Sequence, residues 1–131
     1  MERVNGIGGF FFASSDPAGL GQWYEEHLGV TPPPQSYDTP PWWQEQGPTV
    51  FTGMDQGSPP LAPGRAWAVN FRVRNLDAMV AQLQAAGIPV ERDPDEYPNG
   101  TFAGLQDPEG NSIQLWQPAG TDLGRPQTGG G

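Results

Sequence analysis

The same order of signals occurs twice in this chain, and a duplicated order restricts the fold more than any single motif does. Each copy reads as an apolar run suited to a strand, a helix-capping side chain, an apolar stripe at helical spacing and a glycine stop. In the first copy Ile7 to Ala13 is the run and Asp16-Pro17 supplies the cap, with proline at the first helical position. Leu20, Trp23, Tyr24 and Leu28 form the stripe, and Gly29 stands where a left-handed residue ends a helix. In the second copy Ala66 to Val73 alternates, Asn75 caps, Leu76, Met79, Val80 and Leu83 form the stripe, and Gly87 stops the helix before Ile88. Short strand candidates follow each helix: Trp42 to Gln44 and Pro48 to Gly53, then Ile88 to Arg92, Thr101 to Gln106 and Asn111 to Gln117. The last two are joined by Asp107-Pro108-Glu109-Gly110, which has the residues of a type I turn at its first, second and fourth positions.

Composition sets the outer bounds. The 131 residues suit one domain able to bury a core without disulfides, and the chain has no cysteine, which excludes thiolate chemistry and cysteine-ligated metal. Six Lys plus Arg against fifteen Asp plus Glu give a formal charge of -9, so neither nucleic acid nor an anionic membrane surface is an expected partner. Sixteen Pro and nineteen Gly are concentrated between the patterned segments. They divide the expected domain, residues 1–118, into a module 4–56 and a module 66–118 joined by a Pro/Gly linker 57–65. Residues 119–131 have little to bury and are expected to form a loose tail. Met1 to Gly6 lacks a basic stretch followed by an apolar one, and no apolar run has the length of a membrane span; a cytoplasmic protein is the expectation.

Three stretches together carry a family resemblance: Ser15-Asp16-Pro17 with Trp23 to Gly29, Asn70 to Asp77 with Ala86-Gly87-Ile88, and Asp107 to Asn111 with Ile113-Gln114-Leu115. Their order and spacing over roughly residues 4 to 118 resemble the vicinal oxygen chelate superfamily, which includes glyoxalase I, extradiol dioxygenases and the fosfomycin and bleomycin resistance proteins. The resemblance implies an α+β fold of two βαβββ modules, whose curled mixed sheets surround a shared cavity, often in a homodimer.

Strand alternation locates the cavity side. Val69, Phe71 and Val73 face one way and Ala68, Asn70 and Arg72 the other. In the final strand Ile113 and Leu115 pack beneath the helices, leaving Ser112, Gln114 and Trp116 with the polar set, and in the first strand Gly9, Phe11 and Ala13 turn toward the cavity. In metal-dependent members of the superfamily each module supplies a His or Gln from its first strand and a Glu from its last. The matching positions here are Gly9 and Ala68, a closing strand Thr49 to Thr52 with no ligand, and Gln114. A lone amide oxygen does not hold a hard divalent cation, so no metal site and no cofactor are expected, and a divalent metal is disfavoured.

The remaining candidates divide between binding and structure. His27, the one histidine, lies in the last turn of the first helix, where it suits the helix C-terminus, and is read as structural. Arg72 suits either an anion anchor or an internal ion pair. Asn70 and Gln114 suit either ligand orientation or backbone satisfaction. The carboxylates of Asp93 to Gly100 sit in a turn-rich loop and are read as solvated, and Gly6 to Gly9 opens no helix, which excludes a dinucleotide loop. Phe11, Trp43, Asn70, Arg72, Phe102, Gln114 and Trp116 form the candidate ligand-binding set, with aromatic and amide groups suited to a flat, partly apolar ligand. The leading expectation is a small-molecule-binding protein of the glyoxalase/bleomycin-resistance type without catalytic metal. A metal-independent isomerase or lyase is the alternative, and a metal-dependent glyoxalase or dioxygenase is a weaker one.

Overall fold

The structure, a computed structural model, describes residues 1–123. Helix α1 (Pro17–Leu28) starts where Asp16 accepts a hydrogen bond from the Gly19 amide at 3.1 Å. It stops at Gly29, whose φ of 74° lies in the left-handed region and lets the Gly29 and Val30 amides close back on Glu25 and Tyr24. Strand β1 (Ala68–Arg72) leads into α2 (Leu76–Ala85), capped by Asn75. Then come β2 (Glu91–Arg92), β3 (Gly100–Gln106) and β4 (Ser112–Pro118). The four strands form one mixed sheet in the order β1-β4-β3-β2, with β1 parallel to β4 and the other pairs antiparallel. The second copy of the repeat is thus a formed βαβββ unit, and its sheet is open, with β1 and β2 as free edges.

Both helices lie on one face of that sheet. Leu20 and Tyr24 of α1 and Leu76, Val80 and Leu83 of α2 cluster with Ala103, Leu105, Ile113 and Leu115. Gln117 of β4 accepts from the Leu76 amide at 2.8 Å, so the last strand also satisfies the start of α2.

The first copy departs from expectation. Ile7 to Ala13, Trp42 to Gln44 and Pro48 to Gly53 carry no strand in the described structure, so this copy contributes its helix and no sheet. The reason is local. Gly6, Gly8 and Gly9 raise the entropy cost of extending the first run, and Pro40, Pro41 and Pro48 remove ladder donors around the others. Runs this short hold as strands only against a partner edge. In the second copy the run from Ile88 shrinks to Glu91–Arg92. Residues Gly120–Leu123 form a 3-10 turn where a loose tail from Ala119 was expected, and the rest of that tail lies outside the described residues.

Candidate ligand-binding face

The face of the sheet away from the helices is built by period-two alternation and register. Paired positions place Asn70, Gln114, Gly104 and Glu91 in one row across all four strands. The adjacent row holds Arg72, Trp116 and Phe102, and is extended by Asp93, whose amide donates to the Phe102 carbonyl at 3.0 Å. Arg92 turns the other way and pairs with Asp77 of α2, which fixes its neighbour Glu91 on the open face.

Five of the seven sequence-derived site residues therefore share this face, each held differently. The Asn70 side-chain amide donates to Gln114 Oε1 at 2.8 Å, leaving a carbonyl on Asn70 and an NH2 group on Gln114 for a ligand. Phe102 and Trp116 have ring planes 2° apart with centroids at 6.1 Å, and Tyr97 meets Phe102 edge-on at 5.8 Å. Trp116 is only 3% exposed, and its indole N–H donates to the Asn99 carbonyl at 2.9 Å, so it acts as the backing of Phe102.

Arg72 takes a role that neither sequence reading described. Its guanidinium donates to the carbonyls of Pro48 and Glu45, both at 2.6 Å, and to Thr49 Oγ1 at 3.2 Å. It therefore clamps segment 45–49 against β1, assisted by the Arg74–Glu45 ion pair. Gly47 makes the close approach possible, because a Cβ there would run into the Arg72 side chain. Phe11 and Trp43 stand in solvent at 93% and 82% exposure, outside the four strands that build the face. His27 lies beside Trp23 with ring centroids at 5.4 Å, a packing role.

The sequence reading missed the polar hub under the β3–β4 turn. Asp107 is 4% exposed, yet its carboxylate accepts four hydrogen bonds. They come from the Tyr24 hydroxyl at 2.7 Å, the Asn111 side chain at 2.7 Å, and the Glu109 and Asn111 amides at 2.9 and 3.0 Å. Burial first, then the bond to Asp107, hold the Tyr24 hydroxyl well above the ordinary tyrosine range. Glu109 reaches the start of α1, accepting from Ser14 Oγ at 2.7 Å and the Ser15 amide at 3.0 Å, and the Ser14 bond foremost holds its carboxyl below the usual range. Arg65, at the end of the linker, donates to the Glu109 carbonyl at 3.1 Å. A tyrosine in a helix stripe gives no sign in sequence of where its hydroxyl goes, and this is why the hub was not legible.

Gln114 Oε1 is already engaged by Asn70, position 68 is alanine, and among the described residues no three His, Cys, Asp or Glu side chains converge. A broad groove of about 480 Å³ between Glu45 and the first turns of α2 lies beside Arg72, away from the aromatic and amide groups. The convergent amide and aromatic groups make the sheet face the candidate site.

Residues 6–115 match the family model of the Glyoxalase/Bleomycin resistance protein/Dioxygenase superfamily, and the chain belongs to that superfamily. The crystal structure of TnmS3, an antibiotic-binding protein from Streptomyces sp. CB03234, is similar at 25% identity and a TM-score of 0.58, covering 91% of this chain and 100% of that one. A glyoxalase/bleomycin resistance protein from the same organism is 37% identical over 46% of this chain and 52% of its own, with a TM-score of 0.36. A putative glyoxalase family protein from Bacillus anthracis is 24% identical over 47% of this chain and 49% of its own, with a TM-score of 0.38. Among curated protein sequences none matches.

Proposed function

We propose that this chain is a small-molecule-binding protein that takes up a flat, partly apolar organic ligand of the antibiotic or natural-product kind, without a catalytic metal. The observation that carries the reading is the Asn70–Gln114 amide pair set beside the Phe102–Trp116 stack on one open sheet face. Amides offer directed hydrogen bonds to a ligand carbonyl or hydroxyl, and the adjoining ring offers apolar area. Similarity to an antibiotic-binding protein supports the same ligand class.

The working form we propose is a homodimer. Val4, Ile7, Phe10, Phe11, Trp43, Val50 and Phe51 are exposed along the strandless first copy, and β1 leaves a backbone edge unpaired. A second chain would cover both.

Equilibrium binding followed by tryptophan fluorescence, across aromatic, glycopeptide and polyketide-like compounds, tests the ligand. Saturable binding is expected for at least one class, weakened about tenfold by Gln114→Ala through loss of a directed hydrogen bond. A panel with no saturable signal removes the proposal. Elemental analysis after growth in metal-supplemented medium tests the metal clause, which stoichiometric bound metal overturns.

A further inference from the structure

We infer that the ligand carries a basic, cationic group, seated at the β2 edge of the open face between Glu91 and Asp93, with its ring system over Gly104 against Phe102. The inference rests on the small-molecule reading above and specifies its chemistry. Register places Glu91 beside Gly104 and Asp93 beside Phe102, on the same side of the sheet as the amide pair. Both carboxylates therefore border one aromatic ring and one bare stretch of backbone.

Gly104 provides the seat. Its missing side chain leaves the middle of the face flat, and a Cβ built there would meet only the Ile113 carbonyl, at 3.9 Å. A planar ring lying on it touches Phe102 on one side and the Gln114 amide across the sheet. The edge of the face is polarised by how its charges are used. Among the described residues the ion pairs are Arg74–Glu45 and Arg92–Asp77, so no cation neutralises Glu91 or Asp93. Arg72, at the opposite edge, already turns both terminal nitrogens of its guanidinium to the Glu45 and Pro48 carbonyls and Thr49. It presents no open fork to a ligand anion.

Tyr97 adds to the seat's preference for positive charge. Its hydroxyl donates to Asp93 Oδ2 at 2.9 Å, and its ring lies edge-on to Phe102. A carboxylate and two aromatic rings around one point form the surroundings that attract an ammonium ion by Coulomb and cation–π terms together. The formal charge of -9 on the chain acts in the same direction over longer range.

A matched series tests this: naphthalene bearing a trimethylammoniomethyl, a hydroxymethyl or a sulfonatomethyl group, each measured by equilibrium dialysis against the full chain. The cationic member is expected to bind about tenfold more tightly than the neutral one, some threefold from each carboxylate, and the sulfonate to bind weakest. Added salt should narrow the gap. Glu91→Gln and Asp93→Asn should each reduce the affinity of the cation about threefold more than that of the neutral compound, so that the cation-to-neutral ratio falls. Glu91 is exposed and unpaired, so its variant keeps the fold. Equal affinity for cationic and neutral members overturns this inference and leaves the binding function standing. Failure of all three to saturate, together with failure of the broader panel, overturns both.

Discussion

At the scale of single residues, the best-connected carboxylate among the described residues lies under the β3–β4 turn. Asp107 gathers four donors in a buried place, and removing one leaves part of a buried charge unsatisfied. Tyr24→Phe is expected to cost about 2 kcal/mol of stability, within the range for hydrogen bonds to charged groups, as read from urea unfolding. The raised pKa of Tyr24 has a definite sign: its neutral form is the folded form, so the stability it contributes is present below pH 10 and is lost as pH rises above that. Absorbance at 295 nm should show one tyrosine ionising only as the protein unfolds, and Tyr24→Phe should abolish that late step. Glu109 behaves oppositely. Its lowered pKa gives stability that is present above the ordinary value of 4.5 and is lost as pH falls through the folded value. The wild type should therefore lose more stability on acidification from neutrality than Glu109→Gln does, measured as the shift in urea midpoint.

At the scale of elements, helices and turn were legible, and three of the seven expected strands carry no strand in the described structure. Asp16, Pro17 and Gly29 bound α1 and Asn75 starts α2 because caps and stops are local chemistry, written in adjacent residues. The Asp107–Gly110 turn closes with the Gly110 amide donating to the Asp107 carbonyl at 2.9 Å, again a local matter. Strands need a partner that sequence does not name. Thr101 to Gln106 and Asn111 to Gln117 find each other across that turn, whereas Ile7 to Ala13 pairs with neither open edge of the sheet. The same division runs through the site. Alternation placed Asn70, Arg72, Gln114 and Trp116 on one face, but the clamp from Arg72 onto Glu45 and Pro48 spans more than twenty residues and left no trace in spacing.

Two glycines separate stability from function at this scale. Gly110 has φ 80°, so Gly110→Ala is expected to cost about 1 kcal/mol in a left-handed conformation. Gly104 has open space above it, so Gly104→Ala should leave stability within about 0.5 kcal/mol. It should nonetheless weaken ligand binding by raising a methyl group from the flat seat, and the two measurements together distinguish the roles.

At the scale of the whole molecule, one formed βαβββ unit carries both helices while the first copy's apolar runs stay exposed. Sedimentation velocity over a dilution series should show a concentration-dependent dimer, and Phe11→Asp with Phe51→Asp should shift it toward monomer without lowering helix content. A monomer at every concentration would remove the dimer proposal. Beside the Arg72 clamp on residues 45–49, a second set of polar ties between the two copies meets at the Asp107 turn, where Tyr24, Ser14 and Ser15 attach, and the linker's Arg65 joins them there. Engineers ordinarily choose a hairpin tip for inserting a tag or reporter, since tips are exposed and tolerant. In this chain an insertion between Asp107 and Asn111 would undock a helix, and the exposed stretch around Gly53 to Gly57 is the better graft point.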